Sequence, residues 1–362
     1  MIKRISSFII LSIMVLSLLS SCGEEEVIPS EYYSATFFAM DTEVTVKLAR
    51  DTGLKDEKEK TIYHDDAHLS EIVRSCADIA KEKELLLSAT DESSAISELN
   101  RESDVFLDFN EEVTDLLKKS FEISAATDGA FDVTIGTVTK LWNVTGGNPE
   151  IPSDDDIASA LSHVGYGKIE LDGANVKKLD RETKLDLGAI GKGYALGLMT
   201  EYLATTDVVY GLVSFGGNVG VFGAKPNGAK FKVGITDALD TSRVCGYVFV
   251  DKQFVSVSGD YERFFTADGC KYSHIFDPAT GRPAETDITG VAVICPDSSY
   301  ADALSTALFV KGSDGAIEFY NTHPGDFEAV IQTKDGRLIL TGGLMKDGEF
   351  EEYVEPPATG EE

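Results

Sequence analysis

Between residues 42 and 48 apolar side chains alternate with polar ones, placing Val44, Val46 and Leu48 on one face of a half-buried strand. The period then changes. After the acidic pair Asp65-Asp66, Leu69, Ile72, Val73, Cys76 and Ile79 recur at helical spacing, so the strand feeds a long helix. A second helix is predicted over Glu111–Ala126, with Val113, Leu116, Leu117 and Phe121 on one face and Asp128-Gly129 marking its end. From residue 168 onward the pattern turns to short β runs at 168–171, 185–187, 208–215, 244–250 and 291–295, interrupted by glycine turns and two more helices. Strands cluster and helices cluster, which predicts an α+β fold with no internal repeat and one compact unit over residues 35–347.

The ends read differently. Lys3 and Arg4 lead into an apolar run from Phe8 to Leu19, too short for a comfortable membrane span but suited to an export signal. It closes on Leu19-Ser20-Ser21-Cys22-Gly23, which resembles a bacterial lipoprotein processing box, so residues 1–21 are expected to be a signal peptide and Cys22 the lipidated first residue. Residues 22–34 read as a polar tether and 348–362 as an acidic tail. A chain of 362 residues, 43% hydrophobic, can bury a sizeable core. The formal net charge of −30 excludes a nucleic-acid partner and is compatible with a divalent cation. Cys76, Cys245, Cys270 and Cys295 have no zinc-like spacing and are expected to be mostly buried and chemically quiet.

The densest polar run, Tyr-Ser-His-Ile-Phe-Asp-Pro-Ala-Thr-Gly-Arg-Pro at 272–283, holds an imidazole, a carboxylate and a guanidinium in a stiff segment. Pro278 pushes Asp277 to an extended backbone and Thr280-Gly281 reads as a turn, serving either a ligand or an ordinary polar connection. At 185–194 a strand ends in Asp186, followed by a glycine-rich turn and a helix start carrying Lys192. Backbone amides, the helix N-terminus and the lysine together suit an anion, although glycine-eased packing of a helix would leave a similar pattern. Asp302 and Thr306 stand four apart on one helical face, where a carboxylate and a hydroxyl can share a hard cation; a helix-start aspartate and a backbone-bonded threonine are the alternative. Phe131 or Trp142 could border a flat ring or lie in the core, and Gly216-Gly217-Asn218 could contact a ligand or form a tight turn.

Taken in order, Met40-Asp41-Thr42, residues 94–100, Gly129-Ala130-Phe131-Asp132, residues 185–194, Gly216-Gly217-Asn218, residues 258–262, residues 273–283 and residues 301–306 resemble the ApbE family of flavin transferases. The resemblance implies a single ApbE-like domain, related to the T-fold, with a β-sheet core flanked by helices. It also implies an exported enzyme, lipid-anchored to a bacterial membrane and facing the periplasm. Such an enzyme binds FAD, uses Mg²⁺ and moves FMN to a threonine hydroxyl on an acceptor subunit of a membrane redox complex, releasing AMP. Residue by residue, Asp186 and Lys192 would contact FAD, while Met40, Ala130, Phe131 and Asp132 would line the flavin and adenine sites. His274 and Ile275 would lie over the reacting end, and the carbonyl of Ala189 would join Asp302 and Thr306 around Mg²⁺. Lys192 and the cation would neutralise charge developing on the pyrophosphate. His274 is the candidate general base, with a purely orienting hydrogen bonder as the alternative.

Two positions depart from the family pattern. Thr90 stands where many relatives carry an aromatic that stacks on the flavin, and Gly197 stands where an aspartate usually follows the lysine-glycine motif. A less clamped flavin leaves two companion readings, a Mg²⁺-dependent FAD pyrophosphatase and a non-catalytic FAD-binding lipoprotein. The chain has no acceptor motif of the Asp-Gly-x-Ser/Thr-Gly-Ala-Thr type, so self-flavinylation is not expected.

Overall fold

The computed structural model describes residues 31–102, 106–109, 111–346 and 348–354. The expected signal segment, Cys22 and most of the tether lie outside the described residues, as does the chain beyond residue 354. Eight strands make one antiparallel sheet: β1 (Tyr32–Ala39), β2 (Thr42–Ala49), β3 (Tyr210–Phe215), β4 (Asn218–Gly223), β5 (Phe254–Gly259), β6 (Ile288–Cys295), β7 (Glu328–Thr333) and β8 (Leu338–Leu340). Their order in space is their order in the chain, and every neighbouring pair is antiparallel. Four longer helices are inserted between them: α1 (Asp66–Leu87), α2 (Glu111–Ala126) and α3 (Gly191–Ala204) between β2 and β3, and α4 (Ser298–Thr322) between β6 and β7. This is the expected α+β class.

The expected strand at 42–48 is β2, with Val44, Val46 and Leu48 buried. Its partner β1 corrects the boundary of the tether, because pairing begins at Tyr32 and not after residue 34. The strand escaped notice because its faces are not cleanly sorted, Phe38 being 72% exposed. A second correction is at 185–187, which is not a strand. The Asn100 carboxamide takes the place of a partner strand there: Leu185 N donates to Asn100 Oδ1 at 2.7 Å, and Asn100 Nδ2 donates to Leu185 O at 2.9 Å. The acidic tail also starts later than expected, since Phe350–Glu352 pairs with the strand Val244–Val250. Gly246 opens the slot for this addition: a Cβ at that position would lie 2.3 Å from Phe350 Cζ.

The near-continuous apolar run of β6 follows from burial on both sides. Val291, Val293 and Cys295 join an apolar cluster with Leu304 and Leu308 of α4, whereas Ala292 and Ile294 join a second cluster with Val233 and Val248 of the smaller sheet. Helix α1 begins where the acidic pair predicts, Asp65 accepting from His68 N at 2.8 Å, and buries Leu69, Ile72, Val73, Cys76 and Ala80. Helix α4 breaks at Gly312 (φ 72°), where Asp287 accepts from Ser313 N and so restarts the helix. Cys76, Cys245 and Cys295 are buried free thiols pushed by burial up to about 12, and Cys270 is free and exposed.

Candidate active site

Three connections meet at one end of the large sheet, where its strands turn back. The β1–β2 turn consists of Met40 and Asp41, both left-handed (φ 48° and 57°), and the β3–β4 turn of Gly216 and Gly217 (φ 55° and 92°). Gly216 is required by close approach as well, because a Cβ there would lie 2.7 Å from Thr42 Cγ2. The end of β5 runs on to Glu262 and Arg263, whose Nη2 donates to Asp41 O at 3.3 Å and ties the first turn to the third connection.

Against this end the N-terminal turns of α3 and α4 come together. Asp302 is 3% exposed, its Oδ2 accepting from Gly193 N at 2.7 Å and its Oδ1 from Asn218 Nδ2 at 2.9 Å. No side chain of its own caps α3, so an aspartate from another helix satisfies one of its free amides. Two glycines one turn apart make this possible. A Cβ at Gly193 would lie 2.3 Å from Ser298 O and 2.6 Å from Asp302 Cβ, and one at Gly197 would lie 2.4 Å from Ser298 Oγ. Of the two, only Gly193 is pressed against backbone, since Gly197 faces the hydroxyl end of a serine side chain that can change rotamer.

Thr306 follows Asp302 on the same helical face, its Oγ1 3.2 Å from Ser258 Oγ. Ser258 Oγ lies 2.7 Å from Ser305 Oγ, which in turn donates to Asp302 O. Ala189 is half-buried in the turn immediately before α3, where Ile190 N and Gly191 N both donate to Leu187 O. Asp186 is held from two sides, Oδ2 accepting from Thr139 Oγ1 at 2.8 Å and Oδ1 from Gly188 N at 2.9 Å. Lys192 is half-buried, reaches only the Gly188 carbonyl at 3.4 Å, and makes no ion pair among the described residues.

His274 Nδ1 lies 3.1 Å from the Arg263 carbonyl, which can only accept. The ring therefore donates from Nδ1 and keeps a lone pair on Nε2. Burial, helped by the Lys192 charge, pushes its pKa down to about 4, so the ring is neutral at pH 7. Glu262 shows the opposite shift: burial raises it to about 7, with Lys192 opposing and Asp302 reinforcing the rise. Solvent reaches both side chains, yet both are surrounded by protein atoms, as befits groups lining a concavity.

The remaining expected residues form walls and supports. Met40 and Ala130 are half-buried, while Phe131 and Ile275 are 3% and 4% exposed within the apolar cluster that includes α4. The Asp132 carboxylate is committed to the protein, Oδ1 accepting from Thr134 N and Oγ1 and Oδ2 from Tyr166 N. Trp142 belongs to the core: it is fully buried among Phe265, Tyr272 and Phe276 and donates from Nε1 to Gly281 O at 2.9 Å. The stiff run at 276–283 is a hairpin whose polar groups hold its own shape, Asp277 accepting from Ala279 N and Gly281 N and Arg282 pairing with Asp154. Glu262 and Asn218 were not among the expected site side chains. Asn218 carried a usable signal, a polar residue directly after a glycine turn at a strand end; Glu262 carried one only as the last residue of the block 258–262.

The family model of the ApbE family matches residues 40–331. A FAD:protein FMN transferase from Treponema pallidum is 31% identical over 74% of this chain and 78% of its own length. Among solved structures, the ApbE protein of Thermotoga maritima superposes with a TM-score of 0.77 at 31% identity, covering 86% of this chain and 98% of that one. The apo form of the Pseudomonas stutzeri flavinyl transferase ApbE gives a TM-score of 0.72 at 26% identity, with 87% and 96% covered.

Proposed function

We propose, from the premise that this chain belongs to the ApbE family, that it transfers FMN from FAD to an acceptor protein's threonine hydroxyl and releases AMP. One arrangement supports this reading above all. A Lys192 without an ion pair among the described residues, a neutral His274 with a free Nε2 and the buried Asp302 carboxylate come together at one end of the large sheet, close enough for the Lys192 charge to act on His274. The acceptor oxygen attacks the phosphorus on the FMN side, the P–O bond to AMP breaks, and His274 Nε2 takes the hydroxyl proton. Lys192 stabilises negative charge gathering on the phosphoryl oxygens, and the positive N-terminal end of α3 faces the same group. Asp186 and Met40 hold the nucleotide, with Ala130, Phe131 and Ile275 as apolar walls that keep water out. Asp132 shapes the wall through its own turn.

Asp302, Thr306 and the carbonyl of Ala189 would hold Mg²⁺. The donor set is all oxygen, and Asp302 is a buried carboxylate with no basic partner among the described residues, so it fits a hard cation. When bound, Mg²⁺ supplies Lewis-acid neutralisation of the pyrophosphate. Cys22 would carry a lipid anchor and hold the enzyme at the periplasmic face of a bacterial membrane.

A second reading, hydrolysis of FAD to FMN and AMP, is favoured by Thr90, which is exposed and brings no ring to the flavin. Incubating the purified chain with FAD and Mg²⁺, with and without an acceptor bearing the threonine motif, separates the readings. Transfer gives AMP and covalent flavin only with acceptor; hydrolysis gives AMP without it, and a mere binder gives neither.

A further inference from the structure

We infer that His64, His68 and Asp207 form a second metal site, for a borderline divalent cation of the zinc type, remote from the flavin site. His64 and His68 sit at the start of α1 and Asp207 follows the end of α3. The active site lies at the other end of α3, roughly 20 Å away along its 14 residues. One donor atom from each of the three residues lies within 4.8 Å of the other two.

Both histidines have fixed backbones, His64 N donating to Arg50 O at 2.8 Å and His68 N to the capping Asp65. His68 Nε2 lies 2.8 Å from Asp207 Oδ1, close enough to share a proton that a cation would displace. His64 turns its Nδ1 to the same carboxylate: the side chain is only 7% exposed, and Nδ1 stands 3.9 Å from Asp207 Oδ2, beyond hydrogen-bond reach, while the ring's other nitrogen, Nε2, is buried without a partner and can carry the proton. Donors around a tetrahedral zinc, with bonds of about 2.0–2.1 Å, lie on the order of 3.3 Å apart, so a small inward movement of His64 completes the set. Two imidazoles and one carboxylate favour zinc over Mg²⁺. Asp207 is 62% exposed, which leaves the fourth position to water. The site joins the start of α1 to the end of α3 and acts as a staple, with no part in transfer.

The test uses untagged protein stripped with a chelator, titrated with Co²⁺ and then displaced by Zn²⁺. Wild type and Asp302→Asn should each take up one equivalent with a tetrahedral Co²⁺ spectrum. His68→Ala, at a solvent-accessible side chain, should weaken affinity at least a hundredfold while FMN transfer in Mg²⁺ stays unchanged. Zinc in hundredfold excess over its dissociation constant should raise the wild-type Tm by about 5 °C and leave His68→Ala unmoved. The inference is overturned if wild type binds no Zn²⁺ at 100 μM concentrations (about tenfold above a weak site). It is equally overturned if binding survives in His68→Ala, or if Asp302→Asn abolishes it.

Discussion

Gly193→Ala inserts one methyl group at the point where α3 touches α4. The added Cβ would sit 2.3 Å from Ser298 O and 2.6 Å from Asp302 Cβ. Comfortable contacts are about 3.5 Å, so α4 must withdraw by roughly 1 Å, and backbone cannot rotate out of the way as a side chain can. Overpacking of this kind costs about 1–3 kcal/mol, against which Ala gains about 1 kcal/mol of helix propensity. The net loss of about 0–2 kcal/mol should lower Tm by no more than several degrees. Turnover should suffer more, because the same movement carries Asp302 away from Gly193 N and from Asn218; a displacement near 1 Å costs on the order of a hundredfold in rate. Gly197→Ala is the control. Its Cβ would meet only Ser298 Oγ at 2.4 Å, the end of a side chain that can change rotamer, so rate and stability should stay near wild type. The assay is AMP release and covalent flavin on an acceptor, alongside a thermal melt. Should Gly193→Ala turn over at the wild-type rate, the position of Asp302 does not govern the chemistry.

Asp302→Ala should abolish Mg²⁺-dependent turnover while the protein still melts cooperatively, and near-normal rates at low Mg²⁺ would place the cation elsewhere. His274→Gln should lower the rate by about 10²-fold or more and remove the acid limb near the group's pKa of about 4. Because that value lies below the ordinary 6.5, neutral His274 contributes stability that is complete above pH 6.5 and lost as pH falls toward 4; the Gln variant should lose less stability across that window. Thr90→Tyr should tighten FAD binding roughly threefold to tenfold by stacking and reduce AMP release without acceptor; unchanged values would show that residue 90 does not face the flavin. Cys22→Ser should yield protein without acyl chains, and mass spectrometry of wild type should find its mature N-terminus at Cys22.

What was legible in the sequence was what depends on neighbours along the chain. The strand at β2, the whole of α2 and the start of α1 follow from periodicity and an acidic cap, and Asp302 and Thr306 share a face because four residues make about one turn. Long-range substitution was not legible. Residues 185–187 have a strand-like pattern, yet both backbone groups of Leu185 pair with the side chain of Asn100, 85 positions away, and Asp186 N donates instead to Val133 O. Phe350 looked like the edge of a loose tail because the slot that receives it is made by Gly246 on a distant strand. Trp142 was ambiguous for the same reason, since only the fold brings Gly281 and three aromatic rings around it.

The most instructive case is Asp302. An aspartate near a helix start normally serves its own helix, but in α4 that role falls to Asp297, which accepts from Tyr300 N at 3.0 Å. Asp302 instead points into the N-terminus of α3, where the amide of Gly193 and the carboxamide of Asn218 hold it still. Two neutral donors position the carboxylate without cancelling its charge, so the negative charge remains available to a cation. A lysine in place of Asn218 would satisfy the same oxygen and neutralise it. The asparagine at a strand end and the glycine in a helix therefore serve to position a third residue. No local pattern could display that connection, and the three positions come together only where one end of the sheet and two helix N-termini meet.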